Sequence, residues 1–227
     1  MLEMLVEIGA LNSMIKGKVE MHMIFRNIII LLIVLSTYPL YAKINLSLIQ
    51  EGDIIFQESL SEQAKAIKLA THSRYTHAGI IFKYNNQFKV LEAVQPVKIT
   101  NLNTFINRGV DHHFVIKRLN NHKTLLNRSN INRMKKIGNL YIGKNYDIYF
   151  EWNDNRIYCT ELIWKIYKKA LNIEVGKLEK LKDFDLSDPY VKKIMKKRYG
   201  NKIPYNEFVI SPDSMFKADN LIEVIKE

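Results

Sequence analysis

Short apolar runs broken by turn residues fill the chain from residue 52 to residue 119, and apolar positions of helical period dominate much of the chain beyond residue 120. Gly52-Asp53 leads into Ile54-Ile55-Phe56-Gln57, a run of strand character after a turn signal. Ser59 with Glu62 three residues on is a capping-box pattern, and Ala64, Ile67 and Ala70 or Thr71 then recur at helical spacing. Residues 77–82 predict the next strand, Asn85-Asn86 a hairpin turn, and residues 88–94 its antiparallel partner. Residues 96–100 and 114–119 add further strands, so this half of the chain predicts an antiparallel sheet.

Residues 126–141 place Ile131, Met134, Ile137 and Tyr141 at helical spacing, and Gly143 supplies a stop. The clearest helix opens at Cys159: Leu162, Ile163, Ile166, Tyr167, Ala170 and Leu171 share one face, Glu161, Lys165, Lys168 and Lys169 the other. Cys159 belongs to the apolar face, which aims its sulfur toward the sheet. Beyond residue 177 the pattern is more charged. Asp188-Pro189 can start a helix with Val191, Ile194, Met195 and Tyr199 along one side, leaving Lys192, Lys193, Lys196, Lys197 and Arg198 to face elsewhere. Such a charge run is either a solvated face or a surface-binding one. Ser211-Pro212-Asp213 repeats the cap-then-proline pattern, and residues 221–225 suit a final edge strand. The sum is an α+β fold, an antiparallel sheet packed against helices.

The first 42 residues have a different pattern. Arg26 precedes an unbroken apolar run over residues 28–35, and Ala42 ends the stretch after Ser36-Thr37-Tyr38-Pro39-Leu40-Tyr41. A basic flank, a short apolar core and a small exit residue describe a secretory signal. The run falls short of the roughly 20 apolar residues of a spanning helix, so no stable membrane span is expected once the signal is removed. Residues 1–42 are therefore assigned to an N-terminal extension and signal, and residues 43–227 to one domain, exported to the periplasm or outside the cell. Removing residues 1–42 takes away three basic and three acidic residues and leaves the net charge at +11. That surplus suits either solubility or an anionic partner such as a wall polymer or lipid head group. No basic and aromatic residues interleave in a nucleic-acid motif, so that partner is set aside.

An exported chain usually oxidises its cysteines in pairs, yet Cys159 is the only one. It is either a packing residue or a nucleophile. A thiol attacks a carbonyl as thiolate, and a helix start favours that anion through unpaired N–H groups and the positive end of the dipole. The same N–H groups can receive a developing oxyanion. The base must then be a histidine on a rigid element. His77 heads an apolar strand with Gly79 two positions on, whereas His72 ends a helix, His112 and His113 point to opposite faces, and His122 sits in a polar turn. Glu92, in the run Val90-Leu91-Glu92-Ala93-Val94, costs free energy if buried unpaired. It either points outward or meets His77, which a hairpin turning at Asn85-Asn86 sets roughly opposite. Glu161 is assigned to a surface pair with Lys165. Tyr158 and Trp152 are candidates for lining a substrate cleft, core packing being the alternative. The dispersed histidines and single cysteine argue against a metal site, and no cofactor is expected.

The motifs Glu51-Gly52-Asp53-Ile54-Ile55-Phe56-Gln57, Ala70-Thr71-His72-Ser73-Arg74-Tyr75-Thr76-His77-Ala78-Gly79-Ile80, Val90-Leu91-Glu92-Ala93-Val94, and Tyr146-Asp147 through Phe150-Glu151-Trp152 to Tyr158-Cys159-Thr160-Glu161-Leu162 succeed one another in this order. Together they closely resemble the permuted papain-like amidases of the YiiX and YaeF type, cysteine hydrolases of the NlpC superfamily. The resemblance covers about residues 51–170 and implies a papain-like fold whose histidine strand precedes its cysteine helix. Carried over by position, it implies Cys159 as nucleophile, His77 as base and Glu92 as third member, acting on cell-wall peptides or related amides through a thioester. Two alternatives remain: a lipid acyl hydrolase or acyltransferase using the same Cys-His pair, and a non-catalytic module that binds an anionic surface.

Overall fold

The computed structural model describes residues 16–18, 20–27 and 45–227, the first two stretches being helical. The apolar run and exit of the expected signal, and the boundary at residues 42 and 43, lie outside the described residues. Leu46–Glu227 is a unit of its own. Its elements in chain order are β1 (Ile54–Gln57), α1 (Glu62–Thr71), β2 (His77–Tyr84), β3 (Gln87–Glu92), β4 (Lys98–Asn101), α2 (Leu102–Asn107), β5 (Phe114–Leu119), α3 (His122–Leu125), α4 (Arg128–Asn139), β6 (Asn145–Tyr146), β7 (Arg156–Ile157), α5 (Cys159–Leu171), β8 (Glu179–Lys180), α6 (Pro189–Tyr199), β9 (Phe208–Val209), α7 (Pro212–Phe216) and β10 (Leu221–Lys226).

Six strands form one antiparallel sheet in the order β10-β5-β1-β2-β3-β4. The central strands β1 and β2 are buried on both faces, which is why their sequences are apolar without alternation. Ile54, Phe56, Ala78, Ile80, Phe82 and Leu91 share a core with Leu162, Ile163, Ile166 and Tyr167 of α5 and with Ile131 and Met134 of α4. Each such side chain, taken fully out of water, contributes roughly 1.5–3 kcal/mol. Gly138 lets α4 lie close to the sheet, since a Cβ there would come within 2.5 Å of Leu91 Cδ2. The alternate positions Ile55, Ile81 and Val90 are buried too, on the opposite face. There α2, with Phe105 and Ile106 inward, packs against β3 and β4.

The helix after β1 starts later than the capping pattern predicts. Ser61 is its N-cap, the hydroxyl accepting the Ala64 N–H at 3.0 Å, while the Ser59 N–H is taken by Thr76 Oγ1. The cap expected at Asp188 is present: its carboxylate accepts the Tyr190 and Val191 N–H groups, with Pro189 in the first turn. Val191 and Met195 of α6 then close a second small core with Leu181, against Leu69 and Ala70 of α1. A cavity opens between these two helices and the start of α5.

Candidate active site

The β2–β3 ladder pairs Tyr84 with Gln87 and Ile80 with Leu91. Continued by one step, that register sets Gly79 across from Glu92, so His77 is a diagonal neighbour of Glu92 rather than the directly opposite one expected from the turn. Diagonal positions lie on the same face and within reach of long side chains. Gly79 keeps the space between them open, since a Cβ there would stand 2.3 Å from Val90 Cγ1 and 3.4 Å from Glu92 Cβ. The result is a bond of 2.7 Å between His77 Nε2 and Glu92 Oε2. Phe105 stacks on the imidazole with ring centres 5.6 Å apart, fixing its plane.

Glu92 is fully buried, and two further donors meet it: Thr100 Oγ1 donates to Oε1 at 2.5 Å and Arg108 Nη2 to Oε2 at 2.5 Å. Burial would raise its pKa, but His77, Arg108 and Thr100 outweigh it and hold the carboxyl down to about 2. Glu92 is a carboxylate at every ordinary pH.

Cys159 is the first residue of α5, with Tyr158 as its extended N-cap. The His77 side chain and the backbone N–H groups of Ala78 and Thr160 lie near enough to act electrostatically on its sulfur. Burial pushes the thiol up, yet the imidazole and these two N–H groups prevail, so its pKa falls below the ordinary thiol value. His77 moves the other way. Burial alone would lower it, but Cys159 and Glu92 together raise it to about 9. With Nε2 taken by Glu92, Nδ1 is the ring nitrogen left to exchange a proton with the thiol. The cluster thus favours imidazolium on His77 and shifts Cys159 toward its thiolate form.

Tyr146, at the end of β6, completes this cluster. Its hydroxyl accepts from Gln63 Nε2 at 2.8 Å and lies near enough to Cys159 to interact electrostatically with it. Burial first, then the negative charge Cys159 carries when ionised, push its pKa well above the ordinary phenol value, so it keeps its proton. Two cavities meet here. The apolar one between α1, α6 and the start of α5 reaches Cys159 and Tyr146 and is lined by Ile67, Phe150, Ile194 and Met195 among others. A polar cleft on the other side exposes His77, Gln95, Arg108, Asn145, Tyr146 and Arg156.

The remaining candidates fall elsewhere. Tyr158 borders the apolar cavity, but its own hydroxyl is engaged by the Ile210 N–H at 3.0 Å. Trp152 packs edge-on against Trp164, 5.2 Å between ring centres, beneath Lys165, and borders neither cavity. Glu161 corrects the expectation most plainly: it is fully buried, not on the surface. Oε1 lies 2.7 Å from Lys165 Nζ and Oε2 accepts the Tyr158 N–H at 3.3 Å. His72 caps α1 and pairs with Asp185, His113 lies against Tyr75, and His122 bonds the Leu119 carbonyl.

A sequence model of the permuted papain-like amidases, the YaeF/YiiX or C92 family, matches residues 48–225. The chain belongs to this family. YiiX of Escherichia coli strain K12, described as an uncharacterised protein, is 44% identical over 178 residues, 78% of this chain and 87% of the relative. A crystal structure described as metalloprotein yiiX from Escherichia coli O157:H7 is 45% identical, with a TM-score of 0.75, and covers 78% of this chain and 97% of that one. The α+β, permuted papain-like fold expected from the motifs is thereby established.

The described residues around His77 do not form a metal-ligand set. His77 Nε2 is committed to Glu92, whose two oxygens also accept from Arg108 and Thr100. Among the described residues no group of three or more His, Cys, Asp or Glu side chains could hold an ion.

Sequence reasoning missed Tyr146, Gln63, Arg108 and Thr100. Arg108 had a faint signal as the single basic residue closing the stretch Leu102-Asn103-Thr104-Phe105-Ile106-Asn107. Tyr146 opens the Tyr146-Asp147 motif. Nothing local in either stretch points to the distant group it meets.

Proposed function

We propose that the chain is an exported cysteine amidase in which Cys159 is the nucleophile, His77 the acid and base, and Glu92 the group that orients and charges the imidazole. The observation that carries this reading is the buried His77–Glu92 bond of 2.7 Å beside the buried Cys159 that opens α5, the imidazole interacting electrostatically with the thiol. The thiolate attacks an amide carbonyl, and the carbonyl electron pair moves onto oxygen. In this reading the first-turn N–H groups of α5 and the Tyr146 hydroxyl donate to that oxyanion. Imidazolium gives its proton to the leaving amine as the C–N bond breaks, leaving a thioester. Neutral imidazole then takes a proton from water, whose oxygen attacks the thioester and releases the acid and the thiolate.

The two cavities divide the substrate. The polar cleft beside His77 suits the leaving amine, and the apolar cavity beside Cys159 suits the acyl side. The polar cleft supports a peptide or cell-wall amide as substrate. One observation favours a second reading, a lipid acyl group as substrate: the wall facing the thiol is almost wholly apolar. The apolar run over residues 28–35 after Arg26 supports export to the periplasm or beyond.

Mass analysis of wall peptides and of phospholipid vesicles after incubation tests both readings. Cys159→Ala is expected to abolish turnover, a loss of 10³-fold or more in order of magnitude, with the circular dichroism spectrum unchanged. Parent-level cleavage by that variant would falsify the mechanism.

A further inference from the structure

Helix α6 has two contrasting sides. Val191, Ile194 and Met195 form one wall of the apolar cavity that reaches Cys159, while Lys192, Lys193, Lys196 and Lys197 are exposed. No acidic residue interrupts Pro189–Tyr199. Of these four lysines only Lys197 has a carboxylate near it among the described ion pairs, the exposed Glu62 at 3.8 Å. Lys192 with Lys196, and Lys193 with Lys197, are like-charged pairs at i,i+4, which weaken a helix rather than brace it. An ordinary solvated face intersperses acids among its lysines; this one does not.

The chain that leaves α6 adds a second kind of surface. Lys202 is exposed, and Tyr205 and Phe208 are 49% and 48% exposed. Aromatic side chains beside a lysine cluster are what a membrane interface takes up, the rings at head-group level and the ammonium groups on anionic phosphates. A hydrated polyanion would use the lysines but neither the rings nor the apolar cavity behind them.

We propose that α6 and the loop after it dock the protein on an anionic phospholipid surface, with the apolar cavity immediately behind the docked helix. The surface provides both the anionic charge that the lysines meet and an apolar medium from which the cavity can draw. A docked protein is concentrated where apolar substrates reside, whichever bond the site cleaves.

The test is partitioning of the full chain onto vesicles of phosphatidylcholine with and without phosphatidylglycerol. Each lysine near an anionic bilayer strengthens binding by about fivefold, so reversing all four (Lys192→Glu, Lys193→Glu, Lys196→Glu, Lys197→Glu) is expected to weaken binding to the anionic vesicles by at least a hundredfold. The control reverses Lys98, Lys123, Arg128 and Lys136, exposed residues outside α6, for the same change in net charge. It is expected to lose far less. Wild-type binding should also fall steeply as salt is raised, a readout that needs no variant. Equal losses in the two fourfold variants, equal binding to neutral and anionic vesicles, or equal retention by a soluble polyanion would each overturn the proposal. None of these measurements involves turnover, so the amidase reading stands or falls separately.

Discussion

Glu92 and Glu161 are both fully buried, and both are tied to the thiol helix, one through His77 and the other by standing two residues after Cys159. They nevertheless carry opposite protonation at neutral pH. Glu92 has three donors of its own, the imidazolium, Arg108 and Thr100, and is held down to about 2. Glu161 has a long bond from the Tyr158 N–H and a lysine it shares with Asp154, and burial raises it to about 8. Lys165 itself stays charged because Asp154, held down to about 2 by Lys165 and Lys169 despite some burial, remains ionised beside it. Depth therefore does not set the charge of a carboxyl; the number of donors committed to it does. On the Glu92 side the protein keeps a fixed anion beside the imidazole, and on the Glu161 side it keeps an acid neutral, so that no second negative charge stands next to Cys159.

The sharpest way to break that contrast is Glu92→Gln. It removes the anion while keeping the shape, so the imidazolium loses its stabiliser and the thiol loses part of its acidity. We expect turnover to fall by roughly 10²- to 10⁴-fold, and the pH at which iodoacetamide labels half-maximally to move upward. An unchanged labelling profile would show that Glu92 does not charge the imidazole. The pair also contributes to stability with a defined sign. Glu92, depressed to about 2, contributes above pH 4.5 and loses that contribution as pH falls toward 2. His77, raised to about 9, contributes fully below pH 6.5 and loses it as pH rises through 9. Wild type should therefore lose its stability advantage over the variant at both extremes.

Next in size is Glu161→Gln, where the sign reverses. A carboxyl raised from 4.5 to about 8 contributes stability below pH 4.5 and loses it as pH rises through 8. The glutamine variant should match wild type near pH 4 and exceed it by a few kcal/mol above pH 8 in urea unfolding, with labelling of Cys159 at pH 7 little changed. Wild type that is the more stable protein at pH 9 would mean that Glu161 is ionised and paired after all.

The two glutamates also mark how far sequence alone reaches. Glu92 was legible because a carboxylate inside Val90-Leu91-Glu92-Ala93-Val94 breaks an apolar strand and demands a partner. The strands, the helix at Cys159 and its apolar face were legible from the period of Leu162, Ile163, Ile166 and Tyr167. Glu161 was misread because helical spacing puts it with Lys165 on the polar side. That side is covered by the irregular stretch from Asp147 to Trp152 and Asp154, where Lys165 bonds the Asn153 carbonyl. A helical wheel knows the helix's own chemistry and nothing of a loop folded over it. Arg108 and Thr100 escaped for the same reason, since each meets Glu92 only through sheet and helix geometry.

The smallest expected effect comes from trimming the donors around Glu92 one at a time, and it decides whether they act alike. Arg108 is partly exposed, its side chain 38% accessible, so solvent screens its charge. Arg108→Gln should cost turnover about tenfold or less, with the loss shrinking as salt is raised. Thr100 is buried and donates to the oxygen that His77 does not use. Thr100→Val removes a hydrogen bond to a charged group, about 1.5–3 kcal/mol of stability. It leaves the imidazole's own contact in place, so kcat should fall only a few fold. A pattern in which Thr100→Val lowers unfolding stability while Arg108→Gln mainly lowers kcat would assign anchoring to the threonine and charge to the arginine. If instead both variants lowered kcat and stability in the same proportion, the donors would be interchangeable, and a count of donors, without regard to which they are, would suffice to explain why Glu92 is the ionised one.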